Sequence, residues 1–352
     1  MLRCGYPRTM KGPFGDLGVA NPVFAAPMSG GPTTPAMVIA AHRADSFGFL
    51  AGGYKPVAML SSQIHEVRTH TPTFGVNLFV PNPLPVNPDL YRSYAAAIQI
   101  DGERYGLDLT AVACREDDDD WAAKVESLTS DPVPVVSFTF GVPERAVLDR
   151  LRRAGSLLVQ TVTSAAEAAL AAEAGVDILA VQSHEAGGHF ATLSPRSPSS
   201  PLPLVNLVTA VRAAARQPII AAGGLGTARS IRDVLHAGAD AVMVGTYLLR
   251  TEQSGASPTY KAALANRRNI PTAVTRSFSG RPARGICNAF MDKYESVAPL
   301  GYPAIHHLTS PLRQAAAAAG DPDRINLWAG TGHALSQDGS VVAALTDLAD
   351  HL

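Results

Sequence analysis

Eight short, nearly continuously apolar runs alternate with Ala-rich stretches of helical period, and that alternation limits the fold more than any other feature. The runs are Val23 to Met28, Gly48 to Ala51, Thr73 to Phe79, Val133 to Phe140, Leu157 to Val162, Ile178 to Gln182, Pro218 to Ala222 and Ala241 to Val244. Strands apolar on both sides are buried on both sides, as in a parallel sheet covered by helices; antiparallel sandwiches alternate instead. The expected fold is therefore α/β, a (β/α)8 TIM barrel, which takes roughly 200 to over 400 residues as one unit. The chain has 352.

The later helices are the clearest: Ser164 to Gly175, Leu204 to Arg216 and Thr227 to Gly238. Thr163 or Ser164 and Thr227 are N-cap residues, and Gly175 and Gly238 are C-terminal stops. The rhythm breaks over 82–130 and after about residue 265. These breaks predict a barrel over 1–264 with an insertion around 82–130, and a mainly helical C-terminal subdomain over 265–352 packed on it. Helices are expected there at Pro311 to Ala319 and Val341 to Leu352. The acidic run Glu116 to Asp120, before Trp121, reads as a solvated helix N-terminus.

Hydrophobic residues make up 46% and charged residues 17%, below the roughly 25% charged that is typical of globular chains, so much of the chain is buried. A net charge of -1 offers no field for a nucleic acid. Cys4, Cys114 and Cys287 are too widely spaced for a disulfide framework or zinc site, which fits a cytoplasmic location. Met1 to Gly15 lacks the apolar stretch of a signal peptide, and no run reaches about 18 apolar residues, so no membrane span is expected.

A barrel carries its site at the C-terminal ends of its strands. Small and polar residues gather there: Ala26-Pro27-Met28, Gly52-Gly53, Asn77, Gln182 with Gly187-Gly188-His189, Gly223-Gly224 and Gly245-Thr246. The loops after strands seven and eight can offer amide donors and a helix N-terminus to one phosphate. Tight turns needing positive φ would use the same glycines. There is no P-loop or dinucleotide fingerprint. Of the ten histidines, His65 and His70 are five apart and do not share a helix face, so no metal is expected. His306 and His307 read as surface or interface. His189, behind two glycines that clear space beside it, is the candidate general acid/base near neutral pH.

Pro22 to Met28, Phe74 to Pro81, Val181-Gln182 with Glu185 to His189, Ala221 to Gly224, Gly245-Thr246 with Thr251-Glu252, and Thr275 to Gly285 follow one another in order. Together they resemble the nitronate monooxygenase family, formerly called 2-nitropropane dioxygenases. The resemblance implies FMN in a TIM barrel, with nitronates or nitroalkanes oxidised by O2 to a carbonyl compound and nitrite. By its pattern Ala26, Pro27, Met28 and Asn77 contact the flavin, and Gln182 its ring or ribityl region with Gly187 and Gly188 alongside. Gly223, Gly224, Gly245 and Thr246 take the phosphate, and His189 is catalytic. Ser183 and Phe190-Ala191 depart from the family's pattern beside the substrate. The same resemblance admits an FMN enzyme that uses NAD(P)H to reduce an enoyl or quinone substrate. A flavin-free isomerase or lyase acting on a phosphorylated metabolite is a third reading, with Lys55 its one strand-end lysine. Homodimerisation is left open.

Overall fold

The computed structural model describes residues 10, 12–81, 85–350 and 352. The expectations for Cys4 and for most of the N-terminal segment lie outside them. Among the described residues there are eleven strands: β1 (Val23–Ala25), β2 (Phe49–Ala51), β3 (Gly75–Phe79), β4 (Val135–Thr139), β5 (Leu157–Val162), β6 (Ile178–Gln182), β7 (Gly188–His189), β8 (Ile219–Ala222), β9 (Ala241–Val244), β10 (Thr272–Thr275) and β11 (Ala283–Ile286). The helices are α1 (Pro13–Asp16), α2 (Pro35–Arg43), α3 (Val57–Arg68), α4 (Pro88–Glu103), α5 (Trp121–Ser130), α6 (Arg145–Arg153), α7 (Ala165–Ala174), α8 (Leu204–Ala214), α9 (Ala228–His236), α10 (Pro258–Asn266), α11 (Ala289–Tyr294), α12 (Ala304–Ala318) and α13 (Val341–Ala349).

Eight strands pair in parallel in the order β1-β9-β8-β6-β5-β4-β3-β2. A parallel bridge between Ala25 and Gly48 joins the two edges, so the sheet closes into the expected (β/α)8 barrel. Each of the eight apolar runs contains one of these strands. The local signals also hold. Ser164 and Thr227 accept from the N–H groups of Glu167 and Ser230, and Gly175 ends α7 in the left-handed conformation at φ 89°.

The barrel interior is filled asymmetrically. At its N-terminal end α1 inserts Phe14 against Phe24 and Phe47, with ring centroids 4.7 and 5.0 Å away. Toward the other end Asn77, Ser137, Ala180, Ala222 and Gly245, in or directly after the strands, line the interior with side chains too small to fill it. This taper leaves space at the C-terminal face.

The two interruptions in the rhythm meet in space. Tyr94 and Ile98 of α4 share one apolar cluster with Phe278, Phe290 of α11, and Ile305, Leu308 and Leu312 of α12. The Tyr94 hydroxyl donates to the Ser277 carbonyl at 2.5 Å. The chain then returns to the barrel, and α13 packs against β1, α2 and α9. A small antiparallel sheet, β10-β11-β7, was not expected. It pairs His189 with Ala283 and Gly188 with Arg284, pinning the loop after β6 to the C-terminal layer.

Three expectations need correction. Helix α12 begins at Ala304 and carries Pro311 in its interior; Pro favours a first turn, so the sequence places the start seven residues late. That longer helix brings His306 and His307 to the barrel mouth instead of the outer surface. The acidic run does precede α5, but Asp119 is turned inward: its Oδ1 accepts the Tyr54 N–H at 2.9 Å, and its Oδ2 lies 2.9 Å from the buried Lys124 ammonium.

Candidate active site

The residues proposed from strand ends, Gly52 excepted, line one cavity of about 1190 Å³ at the C-terminal face. Ala26, Pro27 and Met28 come from β1, Asn77 from β3, Gln182, Gly187, Gly188 and His189 from β6 and its loop, Gly223 and Gly224 from β8, and Gly245 and Thr246 from β9. Pockets for a single small ligand span roughly 300–1,000 Å³, so this one has room for a cofactor and a substrate together. Lys55 also reaches its edge, with Nζ donating to Gln63 Oε1 at 2.6 Å. His184 does not line it.

One end of the cavity is built from backbone. Gly223 and Gly224 have φ of 125° and 69°, a region that favours glycine. A Cβ on Gly224 would lie 3.1 Å from Thr331 Oγ1 and 3.2 Å from Glu185 Cβ, and one on Gly223 would collide with Ser183 Oγ. Among the described residues, no oxygen accepts from the N–H groups of Gly223, Gly224, Gly245 or Thr246. All four residues are half-buried and line the cavity, so this cluster of donors is open to a ligand and fits an anionic group such as a phosphate.

Asn77 is held by its neighbours on β4. Ser137 Oγ and Thr139 Oγ1 donate to its Oδ1 at 2.8 and 3.1 Å, which leaves the Nδ2 donor for the cavity. Gln182 clamps the loop that follows it: Oε1 accepts the Ala191 N–H at 2.8 Å and Nε2 donates to the His189 carbonyl at 3.2 Å.

His189 lines the same cavity from within an aromatic cage, with Phe140, Tyr302 and Trp328 ring centroids at 5.9, 5.5 and 5.5 Å. Its Nε2 lies 2.8 Å from Ser279 Oγ. Burial foremost, then the charges of Arg281 and Arg313, hold its pKa down to about 3, so the imidazole is neutral near pH 7. That differs from the acid/base group poised near neutrality that the sequence predicts. Arg281 is itself enclosed, stacked 4.0 Å over Phe140 and donating to the Phe190 and Thr192 carbonyls. Above the cage, Tyr302 donates to Tyr54 at 3.0 Å, and Tyr54 stacks on His306 at 4.1 Å. Burial raises the pKa of both phenols, so both remain protonated donors.

Sequence reasoning passed over Tyr54, Tyr302, Arg313 and Trp328, and it named Ser279 and Arg281 only within the Thr275 to Gly285 motif, without a role. Tyr54 directly follows the glycines after the second apolar run, so the strand-end rule could have found it. Tyr302, Arg313 and Trp328 come from the C-terminal layer, where no local signal says which side chains turn toward the barrel.

The family model for nitronate monooxygenase matches residues 14–350. The chain belongs to the nitronate monooxygenase family. It is therefore an oxidoreductase of a flavin-dependent class. It is 33% identical over 335 residues to a probable nitronate monooxygenase of Bacillus subtilis, covering 94% of this chain and 95% of that one. A Staphylococcus aureus relative with the same description is 33% identical over 319 residues, 89% of each chain. Among solved structures, nitroalkane oxidase from Streptomyces ansochromogenes superposes with a TM-score of 0.89 at 40% identity, covering 95% of this chain and 96% of that one. FabK from Thermotoga maritima, at 23% identity and a TM-score of 0.74, covers 96% of this chain and shares the fold. Among the described residues, no helix is long and apolar enough to cross a membrane.

Proposed function

We propose that the chain is an FMN-dependent nitronate monooxygenase that oxidises small nitronates with O2 to a carbonyl compound and nitrite. The observation that carries this reading is that neutral His189 lines the same cavity as the Gly223-Gly224 and Gly245-Thr246 backbone N–H groups, which have no acceptor among the described residues. A flavin mononucleotide fits that cavity: the Gly223-Gly224 and Gly245-Thr246 amides suit its one phosphate, and Asn77 Nδ2 is a donor for the ring system. Bound there, the flavin supplies the electron chemistry; the chain supplies position and electrostatics.

With Ser279 on Nε2, Nδ1 of His189 is the ring nitrogen left without a partner among the described residues, and it is not enclosed. A base whose conjugate acid forms only near pH 3 has little drive to take a proton from carbon. The site thus suits a substrate that arrives as the anion, its charge met by Arg281, Arg313 and the Tyr54 hydroxyl. The aromatic cage excludes water from the reacting end. Free thiols at Cys114 and Cys287 agree with a reducing cytoplasm.

The test is to purify the protein, identify the flavin released on denaturation, and follow O2 uptake and nitrite release with the nitronate of 2-nitropropane. FMN with stoichiometric nitrite is expected. FAD, a colourless protein, or rapid flavin reduction by NADPH without nitronate turnover would overturn the reading.

A further inference from the structure

Among the described residues five non-glycines have φ in the left-handed region, and four of them line the cavity: Tyr54 at 64°, Asp119 at 58°, Asp120 at 55° and Phe140 at 80°. For a bulky residue such as tyrosine that conformation is strained, and it persists only where the surroundings over-determine it. Backbone φ also sets the direction in which Cβ leaves the chain, so the strained backbone of Tyr54 decides where its ring goes. That ring stacks on His306 at 4.1 Å and meets Phe79 edge-on at 5.3 Å. Its hydroxyl accepts from Tyr302 at 3.0 Å, and the Tyr302 ring in turn lies 5.5 Å from His189. The proton of the Tyr54 hydroxyl has no acceptor among the described residues.

The acidic run Glu116 to Asp120 supplies the restraint. Asp119 Oδ1 accepts the Tyr54 N–H at 2.9 Å, and Asp120 Oδ2 accepts the N–H of Val57, the first residue of α3, at 3.4 Å. Two adjacent carboxylates thus fasten the segment between β2 and α3 to the start of α5. Asp119 is fixed in its turn: Oδ2 lies 2.9 Å from Nζ of Lys124, which is 1% exposed on the buried face of α5 with Val125 and Leu128. Among the described residues no other carboxylate lies within ion-pair distance of Lys124. Burying an ion pair is costly, and apolar residues of similar volume often stabilise a fold as well or better. Stability alone is therefore a weak account of this pair, whereas its bond to a strained tyrosine at the cavity is specific.

We propose that Asp119 and Lys124 are positioning residues for Tyr54: the cation fixes the carboxylate, the carboxylate fixes the Tyr54 backbone, and the phenol is thereby presented to the substrate near the cage around His189. An anionic nitronate bound there accepts the Tyr54 O–H through one of its oxygens, a charge-assisted hydrogen bond. This inference rests on the nitronate reading above.

A double-mutant cycle on the flavin-loaded protein tests the coupling. Tyr54→Phe should lower kcat/KM for a small nitronate roughly tenfold. Asp119→Gly with Lys124→Met removes both charges together, and glycine suits the backbone at 58°. It should lower kcat/KM about as much in the wild type, and by less than about twofold in the Tyr54→Phe background. Asp119→Asn with Lys124→Met returns an acceptor for the Tyr54 N–H and should recover most of the loss, with flavin content unchanged throughout. The second measurement needs no substrate: amide hydrogen exchange at Tyr54 should be at least about tenfold slower in the wild type than in the glycine variant. Additive losses in the cycle, no recovery with asparagine, or equal exchange at Tyr54 with and without the carboxylate would each overturn the proposal. So would a wild-type Tyr54 amide that exchanges like an unstructured peptide, a result that decides even if the glycine variant does not fold. If no nitronate is turned over, the nitronate reading fails, and the exchange measurement alone still decides whether Asp119 holds Tyr54.

Discussion

His189 Nε2 lies 2.8 Å from Oγ of Ser279, ninety residues further along the chain. The contact follows from β7 pairing with β11, which brings the segment 275–285 over the loop after β6. Ser279 is buried, and its hydroxyl also lies 3.2 Å from the Arg281 carbonyl, so its own orientation is fixed. It holds the imidazole in one ring orientation and presents Nδ1 to the cavity.

Ser279→Ala should therefore release the ring. The expected result is a roughly tenfold loss of kcat/KM for a nitronate, a stability cost of about 1 kcal/mol for the lost hydrogen bond, and unchanged flavin content. Steady-state kinetics with urea unfolding on the same preparation check it; full activity would show that the hydroxyl does not orient the ring.

The paired variants His189→Ala and His184→Ala separate chemistry from loop structure. His184 sits in the same loop, its carbonyl accepting from Arg284 Nε at 2.7 Å, and it does not line the cavity. With its imidazole neutral and weakly basic, His189 acts on the pre-formed anion, so His189→Ala should keep the flavin and lower nitronate turnover roughly tenfold, while neutral nitroalkane turnover stays slow in both proteins. His184→Ala should change both rates by less than about threefold. Nitronate turnover at the wild-type rate in a folded, flavin-loaded His189→Ala protein would remove His189 from the mechanism.

The barrel was legible because its strands are apolar on both faces and its helices carry their own stops, as at Ser164 and Gly175. The backbone part of the candidate site was legible because two glycine-bearing loops follow neighbouring strands, although tight turns use glycine as well. The half around His189 was not. Strand β7 is two residues long, Gly188–His189, below any periodicity. Its partner Ala283–Ile286 lies in an Arg- and Pro-rich stretch that reads as loop. His306 joins Arg313 on the cavity side of α12 because that helix continues through Pro311, and proline marks a helix start more often than an interior; Tyr302 lies just before the helix, where no periodic signal reaches.

Gly224→Asp should empty the cofactor site. The backbone there has φ 69°, the new Cβ would press on Thr331 and Glu185, and a carboxylate would face the donors free for phosphate. The A450/A280 ratio of the purified variant should fall to near zero while its far-UV circular dichroism stays that of the wild type. Stoichiometric flavin in this variant would place the phosphate elsewhere in the cavity.

The neutral state of His189 predicts how stability depends on pH. An unfolded histidine titrates near 6.5, whereas burial and the charges of Arg281 and Arg313 hold His189 at about 3 in the folded chain. Between these values the unfolded chain binds the extra proton, so stability is full above roughly pH 6.5 and falls as the pH drops toward 3. His306, also held well below its ordinary value by burial and by Arg313, adds to the loss with the same sign. Asp101, lowered to about 2 from 3.8, contributes only below roughly pH 4. Between pH 6.5 and 4.5 the histidines therefore dominate. Urea unfolding across that window should show the wild type losing on the order of a few kcal/mol. His189→Gln, which cannot protonate, should start lower and fall less steeply. Parallel slopes for the two proteins would mean that His189 is not held neutral by its surroundings, and the preference for a pre-formed anion would lose its physical basis.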